Sequence, residues 1–207
     1  MILDLYDVTV FVMPNDVARH AALKLHVEEV KTTDVGFIVG LHQSIGHEIS
    51  PERCERRIAN GLRFFCARAG GQIAGISWAV ISTPRYLDEF GWLLELNQDE
   101  MWVRDIFVAP PLRGQGVFRE MVVAMGSCFP CRRIWSDVDT SNRPSIRAHT
   151  QCGFVAFQRL RGSRIAGRIL VRSSSLDWHR PIAFLHPDRG VVYLGGQTLR
   201  LHRDLIA

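Results

Sequence analysis

The sequence predicts a mixed α/β (α+β) domain built around one largely antiparallel sheet. Three observations lead there. Runs of β-branched residues alternate along the chain with amphipathic runs of helical period. Glycine pairs at 70–71 and 195–196 separate strand-like runs, as hairpin turns do. The stretch SPERCERRIANG has Ser50 as a helix cap, Pro51 at the first helical position and Gly61 as the stop.

Taken in order, Ile2 to Val12 alternate and read as a first strand. Asn15 is positioned to cap a helix running to about Lys31, and a second helical stretch covers about Asp34 to Ile45. The Ser50-capped helix follows. LRFFCARAGGQIAGISWAVIS then reads as a hairpin turning at Gly70-Gly71. Thr83 to Glu100 is less regular and is expected to be a connection with one helical turn. Met101 to Val108 reads as a strand, Gly116 to about Ser127 as a helix, and Arg133 to Asp139 as a strand. Pro144 to Cys152 is a short helix ended by Gly153. Phe154 to Leu160 and Ser163 to Val171 are expected to be two more strands. The tail holds VVYLGGQTLRLH, a second hairpin signature. One domain over residues 1–172 with a β-rich extension over 173–207 is the expected organisation.

The chain has 207 residues, enough to bury a core without staples. Hydrophobic residues make up 47% and charged residues 22%, as in ordinary globular proteins. The opening MILDLYDVTVFVMPND carries acids instead of a basic region, and no apolar run is long enough to span a bilayer. A cytoplasmic protein is the expectation. The five cysteines are odd in number, and only Cys128 and Cys131 form C-x-x-C. That pair closes a helix instead of opening one and has no second Cys/His pair nearby, so it reads as loop cysteines with no metal. Net charge is +4, and Lys24 and Lys31 are the only lysines. The arginines suit phosphate-bearing ligands. They are spread along the chain with no dense basic run, so nucleic acid is a weaker reading than a solvated basic surface.

The most informative stretch is VAPPLRGQGVFREMV, from Val108 to Val122. Pro110 and Pro111 stop the strand. Gly114 and Gly116 let the chain turn with its N–H groups on one side and no side chain in front of them. A helix follows directly, with unpaired first amides and a positive dipole end. Such a turn is an anion cradle suited to a pyrophosphate, and Arg113 adds a charge-assisted bond from the side. A Walker A loop is excluded because no Lys-Ser/Thr follows Gly116, and the Rossmann fingerprint fails at Arg119. A tight turn without a ligand remains the alternative at this point.

A second stretch, TSNRPSIRAHTQCGFVAF from Thr140 to Phe157, adds a resemblance. The two stretches together resemble the GNAT acyltransferase superfamily over about Leu62 to Val171. In its turn [QR]-x-x-G-x-[GA], Arg113 and Gly116 match, and Phe118 stands where glycine or alanine is usual. In its motif N-x-x-A-x-x-x-Y-x-x-x-G-F, Asn142, Gly153 and Phe154 match, Ser145 takes the small position and His149 the tyrosine position.

The resemblance implies a GNAT fold that takes acetyl-CoA, or another acyl-CoA, as co-substrate and transfers the acyl group to a small-molecule or peptide amine. The backbone of Ile106, Phe107 and Val108 would pair with the pantetheine arm. The amides of Arg113, Gly114, Gln115, Gly116, Val117 and Phe118 would hold the pyrophosphate, with Asn142 and Ser145 on the other side. His149 would protonate the departing thiolate. Asp105, in WVRDIFVAP, is the first candidate for the amine's proton, with Glu100, Glu95 and water as alternatives. The related strand Y-x-E-D-L-F-V-x-P has a glutamate where Arg104 stands, which argues against a cationic polyamine. Cys152, Trp78, Trp92 and Trp102 read as core more readily than as site. Alternatives within and outside the class are a longer-chain acyltransferase using acyl-CoA or acyl carrier protein, and a non-catalytic CoA-binding sensor or assembly subunit. The tail could cover the cleft or pair two subunits in a homodimer.

Overall fold

A computed structural model describes residues 3–14, 25–31, 34–81, 85–87, 92–94, 96–129, 131, 133–165, 168–175, 192–194 and 197–201. The chain divides into two compact units. The first comprises Met1–Met13, Ser82–Asn97 and Trp135–Ala207, and the second Pro14–Ile81 and Gln98–Ile134.

The second unit is built on β2 (His26–Glu29), β3 (Arg63–Ala69), β4 (Gln72–Ile81) and β7 (Glu100–Val108), in the order β7-β4-β3-β2. The pairs are antiparallel, and β3 and β4 form the expected hairpin, with Gly70 and Gly71 both at positive φ. Helices α1 (Val35–Ser44) and α2 (Pro51–Ala59) follow β2. Asp34 caps α1 by accepting from the Phe37 N–H at 3.1 Å. Ser50 caps α2 by accepting from the Arg53 N–H at 3.2 Å, as its sequence position predicts. The two helices place Ile38, Leu41 and Cys54 in one core with Phe64, Ile76 and Trp78 of β3 and β4. Helix α3 (Val117–Cys128) presents Met121, Val122 and Met125 to the interior. It approaches β4 so closely that a Cβ on Gly75 would lie 2.6 Å from the Met121 sulfur and 2.9 Å from the Phe107 carbonyl oxygen.

The first unit carries β1 (Leu3–Pro14), β8 (Arg133–Asp139), β9 (Val155–Ile165) and β10 (Arg168–Ser175), in the order β10-β9-β1-β8. Its helix is α4 (Arg143–Cys152), capped by the Asn142 side chain and stopped by Gly153 at φ 106°. Asp7 on β1 ties this unit together: it pairs with Arg159 of β9 and accepts from Thr140 Oγ1 at 2.9 Å. A separate sheet joins β5 (Arg85–Leu87), β6 (Trp92–Leu94), β11 (Val192–Leu194) and β12 (Gln197–Leu201) in the order β11-β12-β6-β5. The tail hairpin is therefore present and pairs with β6.

The mixed α/β class with a largely antiparallel sheet is as expected, and three local expectations are corrected. His26–Glu29 is strand, not the end of a helix from Asn15: HVEEV alternates outward and inward faces and pairs with Phe65–Arg68. Residues 15–24 lie outside the described residues. Among the described residues the connection before Glu100 holds two short strands and no helical turn, because RYL and WLL pair with each other; residues 82–84, 88–91 and 95 lie outside them. The two strands expected at Phe154–Leu160 and Ser163–Val171 are instead one long strand to Ile165 followed by β10, with Gly162 inside β9.

Candidate functional site

The turn at the head of α3 has the geometry its sequence requires. After a single 3-10 turn at Pro110–Leu112, Gly114 and Gly116 lie at φ 77° and 85°, where L-residues with side chains are strained. Gly116 is the N-cap of α3. Open space lies where their Cβ atoms would stand, and residues 113–116 are exposed. Side chains brace the turn from outside. Gln115 donates to the Pro111 carbonyl at 3.0 Å, and Arg113 Nε donates to the Val108 carbonyl at 3.2 Å. The Arg113 guanidinium lies 5.1 Å from the centre of the Phe107 ring. Val117 is buried and Phe118 half-buried. These residues fit a pyrophosphate: the N–H groups of a positive helix end, a fixed cation and no side chain in the way.

Upstream on β7 the register slips against β4: Trp78 faces Arg104, and Ile76 faces Phe107. Two residues, Asp105 and Ile106, stand opposite Ser77, which makes a β-bulge. Asp105 takes the strained position at φ 48°. Its carboxylate binds Arg57 of α2 and lies 3.8 Å from Arg104 Nε. Arg57 is 5% exposed and lies over the Trp78 ring at 5.2 Å. Packing around Asp105 would raise its pKa, but Arg104 and Arg57, with the direct hydrogen bond from Arg57, outweigh it and hold the carboxyl well below the usual range. Burial draws Arg57 down to about 10, so it remains charged at neutral pH.

Beside this pair runs a chain of aromatic donors and acceptors that includes two residues sequence reasoning missed, His42 and His47. The Trp78 indole N–H donates to His42 Nε2 at 3.3 Å, and His42 Nδ1 lies 2.8 Å from His47 Nδ1. Indole only donates, so His42 Nε2 accepts and its proton sits on Nδ1. His47 Nδ1 must then accept, which leaves the His47 proton on Nε2. Burial, then the His47 and Arg57 charges, lower the His42 pKa to about 4, and burial lowers His47 as well. The His47 ring lies 4.8 Å from that of Phe107, the ring that Arg113 also touches. The bulge cluster and the glycine turn thus meet at Phe107. The signal available in the sequence was Trp78 itself, since a buried indole requires an acceptor.

Glu100 is placed apart from this cluster. It is buried at the start of β7, 3.4 Å from Arg133 Nη1. Glu95 lies outside the described residues. Asn142, Ser145 and His149 belong to the first unit. Asn142 Oδ1 accepts from the Ser145 N–H at 3.2 Å. His149 is 4% exposed, with Nδ1 2.8 Å from the Ser145 carbonyl and Nε2 2.8 Å from Ser136 Oγ. A carbonyl only accepts, so the proton of neutral His149 sits on Nδ1 and Nε2 takes one from Ser136. Burial lowers its pKa, against the Ser145 bond and Asp137, and favours this neutral form.

Cys152, Trp78 and Trp102 are buried, as their core reading expects. Cys128 and Cys131 have thiol pKa values raised by burial, the opposite of a redox pair. Among the described residues no group of three or more His, Cys, Asp or Glu could hold a metal ion, and no helix is long and apolar enough to cross a membrane.

Comparison with known proteins gives this geometry its context. The sequence model of the acetyltransferase (GNAT) family matches residues 33–154, more than half of the chain. The chain belongs to the GNAT acetyltransferase family. Solved structures share its fold. A functionally unknown conserved protein from Staphylococcus epidermidis aligns over 77% of this chain and 60% of its own, with a TM-score of 0.57 and 9% identity. A GNAT-family protein from Novosphingobium aromaticivorans aligns over 83% and 66%, at 0.51 and 16%. A GNAT-family acetyltransferase from Colwellia psychrerythraea aligns over 75% and 54%, at 0.50 and 12%. The chain thus spans between half and two thirds of the length of each. No curated protein matches it in sequence.

Proposed function

We propose that the chain is an N-acyltransferase that moves an acyl group, acetyl foremost, from acyl-CoA to an amine by direct attack. The observation that carries the reading is the open turn at Arg113–Gly116, at the head of α3 in a chain of this family. The backbone amides of residues 113–118 hold the pyrophosphate, and Arg113 adds its charge. The backbone of Ile106 to Val108 pairs with the pantetheine arm, and Asn142 and Ser145 touch the cofactor. Acyl-CoA supplies the activated thioester. The chain supplies position.

The contacts of the three candidate residues decide their parts. Asp105 is held too acidic by Arg104 and Arg57 to be an effective base at neutral pH, and Glu100 is committed to Arg133. We therefore assign to water both removal of the amine's proton and delivery of a proton to the departing thiolate, and give Asp105 the task of holding Arg57. His149 has both ring nitrogens in hydrogen bonds, so we assign it to positioning the first turn of α4, where Asn142 and Ser145 stand.

The test is release of free coenzyme A thiol from acetyl-CoA in the presence of a panel of amines. Amine-dependent release supports the reading. Binding of acetyl-CoA with no release for any amine favours the sensor alternative instead.

A further inference from the structure

His42 and His47 have no part in the reading above, yet they lie at the site. Both belong to the second unit, as do Trp78 and Phe107. The Trp78 indole fixes the His42 proton on Nδ1, and that N–H donates to His47 Nδ1 at 2.8 Å. The neutral His47 ring therefore carries its proton on Nε2. The two nitrogens of an imidazole point away from each other, so Nε2 is turned away from His42. His42 is fully buried and His47 half-buried, so this relay runs outward from the core and ends on a donor. Among the described residues, the bond to His42 is the one side-chain hydrogen bond of His47. Burial outweighs the pull of Asp105 on the His47 ring, with Arg57 and Arg53 on the side of burial, so the ring stays neutral at pH 7 and the relay holds.

We propose that His47 Nε2–H is a catalytic hydrogen-bond donor to the carbonyl oxygen of the acyl group, with His42 and Trp78 as positioning residues that fix its tautomer. The inference rests on the acyltransferase reading and deepens it. In that reading the pantetheine arm enters from the turn and lies along Val108, Phe107 and Ile106, so its acyl end reaches the bulge at Asp105 and Ile106. The His47 ring is 4.8 Å from the Phe107 ring on that stretch. As the amine nitrogen bonds to the carbonyl carbon, the π electron pair moves onto oxygen, and it returns as the carbon–sulfur bond breaks. Water takes the amine's proton and gives one to the sulfur, and His47 keeps its own. A donor aimed at that oxygen binds it more strongly as charge gathers there, which lowers the barrier. A neutral imidazole can serve as such a donor. The Asp105 carboxylate is bound directly to Arg57, so it opposes charge on the oxygen far less than a bare carboxylate would.

Imidazole nitrogen–proton correlation spectra test this without turnover, with the His47→Gln spectrum assigning the His47 signal. The His47 proton should sit on Nε2 in the free protein. Acetyl-CoA, added with no amine, should move that signal and slow its exchange with water, whereas coenzyme A, which lacks the carbonyl, should not. In thiol release, His47→Leu should lower kcat by at least about tenfold with little change in KM for acetyl-CoA. His47→Gln, which offers an amide N–H at the same reach, should regain most of that loss. A proton on Nδ1, an equal response to the two ligands, or a smaller fall in kcat for His47→Leu overturns the inference. If His47→Leu does not fold, the spectra of the wild type decide alone. If coenzyme A and acetyl-CoA both leave the melt unmoved, the acyltransferase reading falls and the inference with it.

Discussion

Asp105 stands at φ 48° on the β7 bulge with its carboxylate bound to Arg57, a buried arginine 48 positions earlier on α2. The strained backbone turns the acid out of the β4 register and onto the cation. Asp105→Asn tolerates the same backbone region but removes the charge. It should destabilise the fold by about 1–2 kcal/mol, discounted from a fully buried pair because the carboxylate is partly exposed. Urea unfolding measures this. Asp105→Gly, which removes the strain too, should lose less, and equal losses would remove strain from the account.

Gly75 sets how closely α3 approaches β4. Gly75→Ala would press on the Met121 sulfur and the Phe107 carbonyl, at 2.6 and 2.9 Å. A cost of about 1–3 kcal/mol is expected from overpacking, with weaker coenzyme A binding because Phe107 shifts. Calorimetric titration of coenzyme A against this variant checks the second part.

Protons should loosen the His42–His47 pair. His42 is buried, and its pKa is about 4 against 6.5 unfolded. The unfolded chain binds the proton first, so this contribution is whole above about pH 6.5 and is lost as pH falls toward 4. The loss by pH 4 is about 3 kcal/mol. Asp105, lowered in the fold, loses its contribution only below its usual carboxylate range, so the window from 6.5 to 4 belongs to the histidines. Denaturant midpoints across that window should fall in the wild type and fall less steeply in His42→Asn, where His47 and His149 still contribute.

His149→Phe removes the ring that accepts from Ser136 and donates to the Ser145 carbonyl. If His149 positions α4, the variant should raise KM for acetyl-CoA more than it lowers kcat and leave the pH profile of kcat unmoved. A lost limb of that profile with unchanged KM would return His149 to the role of acid.

The parts of this site that were legible in the sequence are those made by neighbours in sequence. Ser50 and Asn142 cap helices through bonds spanning three residues, and Gly114 and Gly116 permit a local turn. The cluster around Asp105 was not legible because its members come from α1, α2, β4 and β7. Arg57 shares a buried helix face with Cys54 at a spacing of three, yet arginine carries no apolar signal of burial. His42 and His47 lie five apart, which no helical spacing brings together; the chain leaves α1 at Ser44 and returns through Gly46 at φ 72°. His26–Glu29 was misread because four residues hold too little pattern to outweigh the run before them, and pairing with β3 decides their state.

The central claim is that the glycine turn binds acyl-CoA, and thermal melting tests it most directly. Coenzyme A and acetyl-CoA at about a hundredfold over the dissociation constant should add roughly 2.7 kcal/mol, a rise of about 5–10 °C for a chain of this size. Longer acyl-CoAs in the same series distinguish acetyl from longer donors. Arg113→Glu combined with Gly116→Asp should erase the rise. No rise in the wild type, or the same rise in the double variant, would contradict the account.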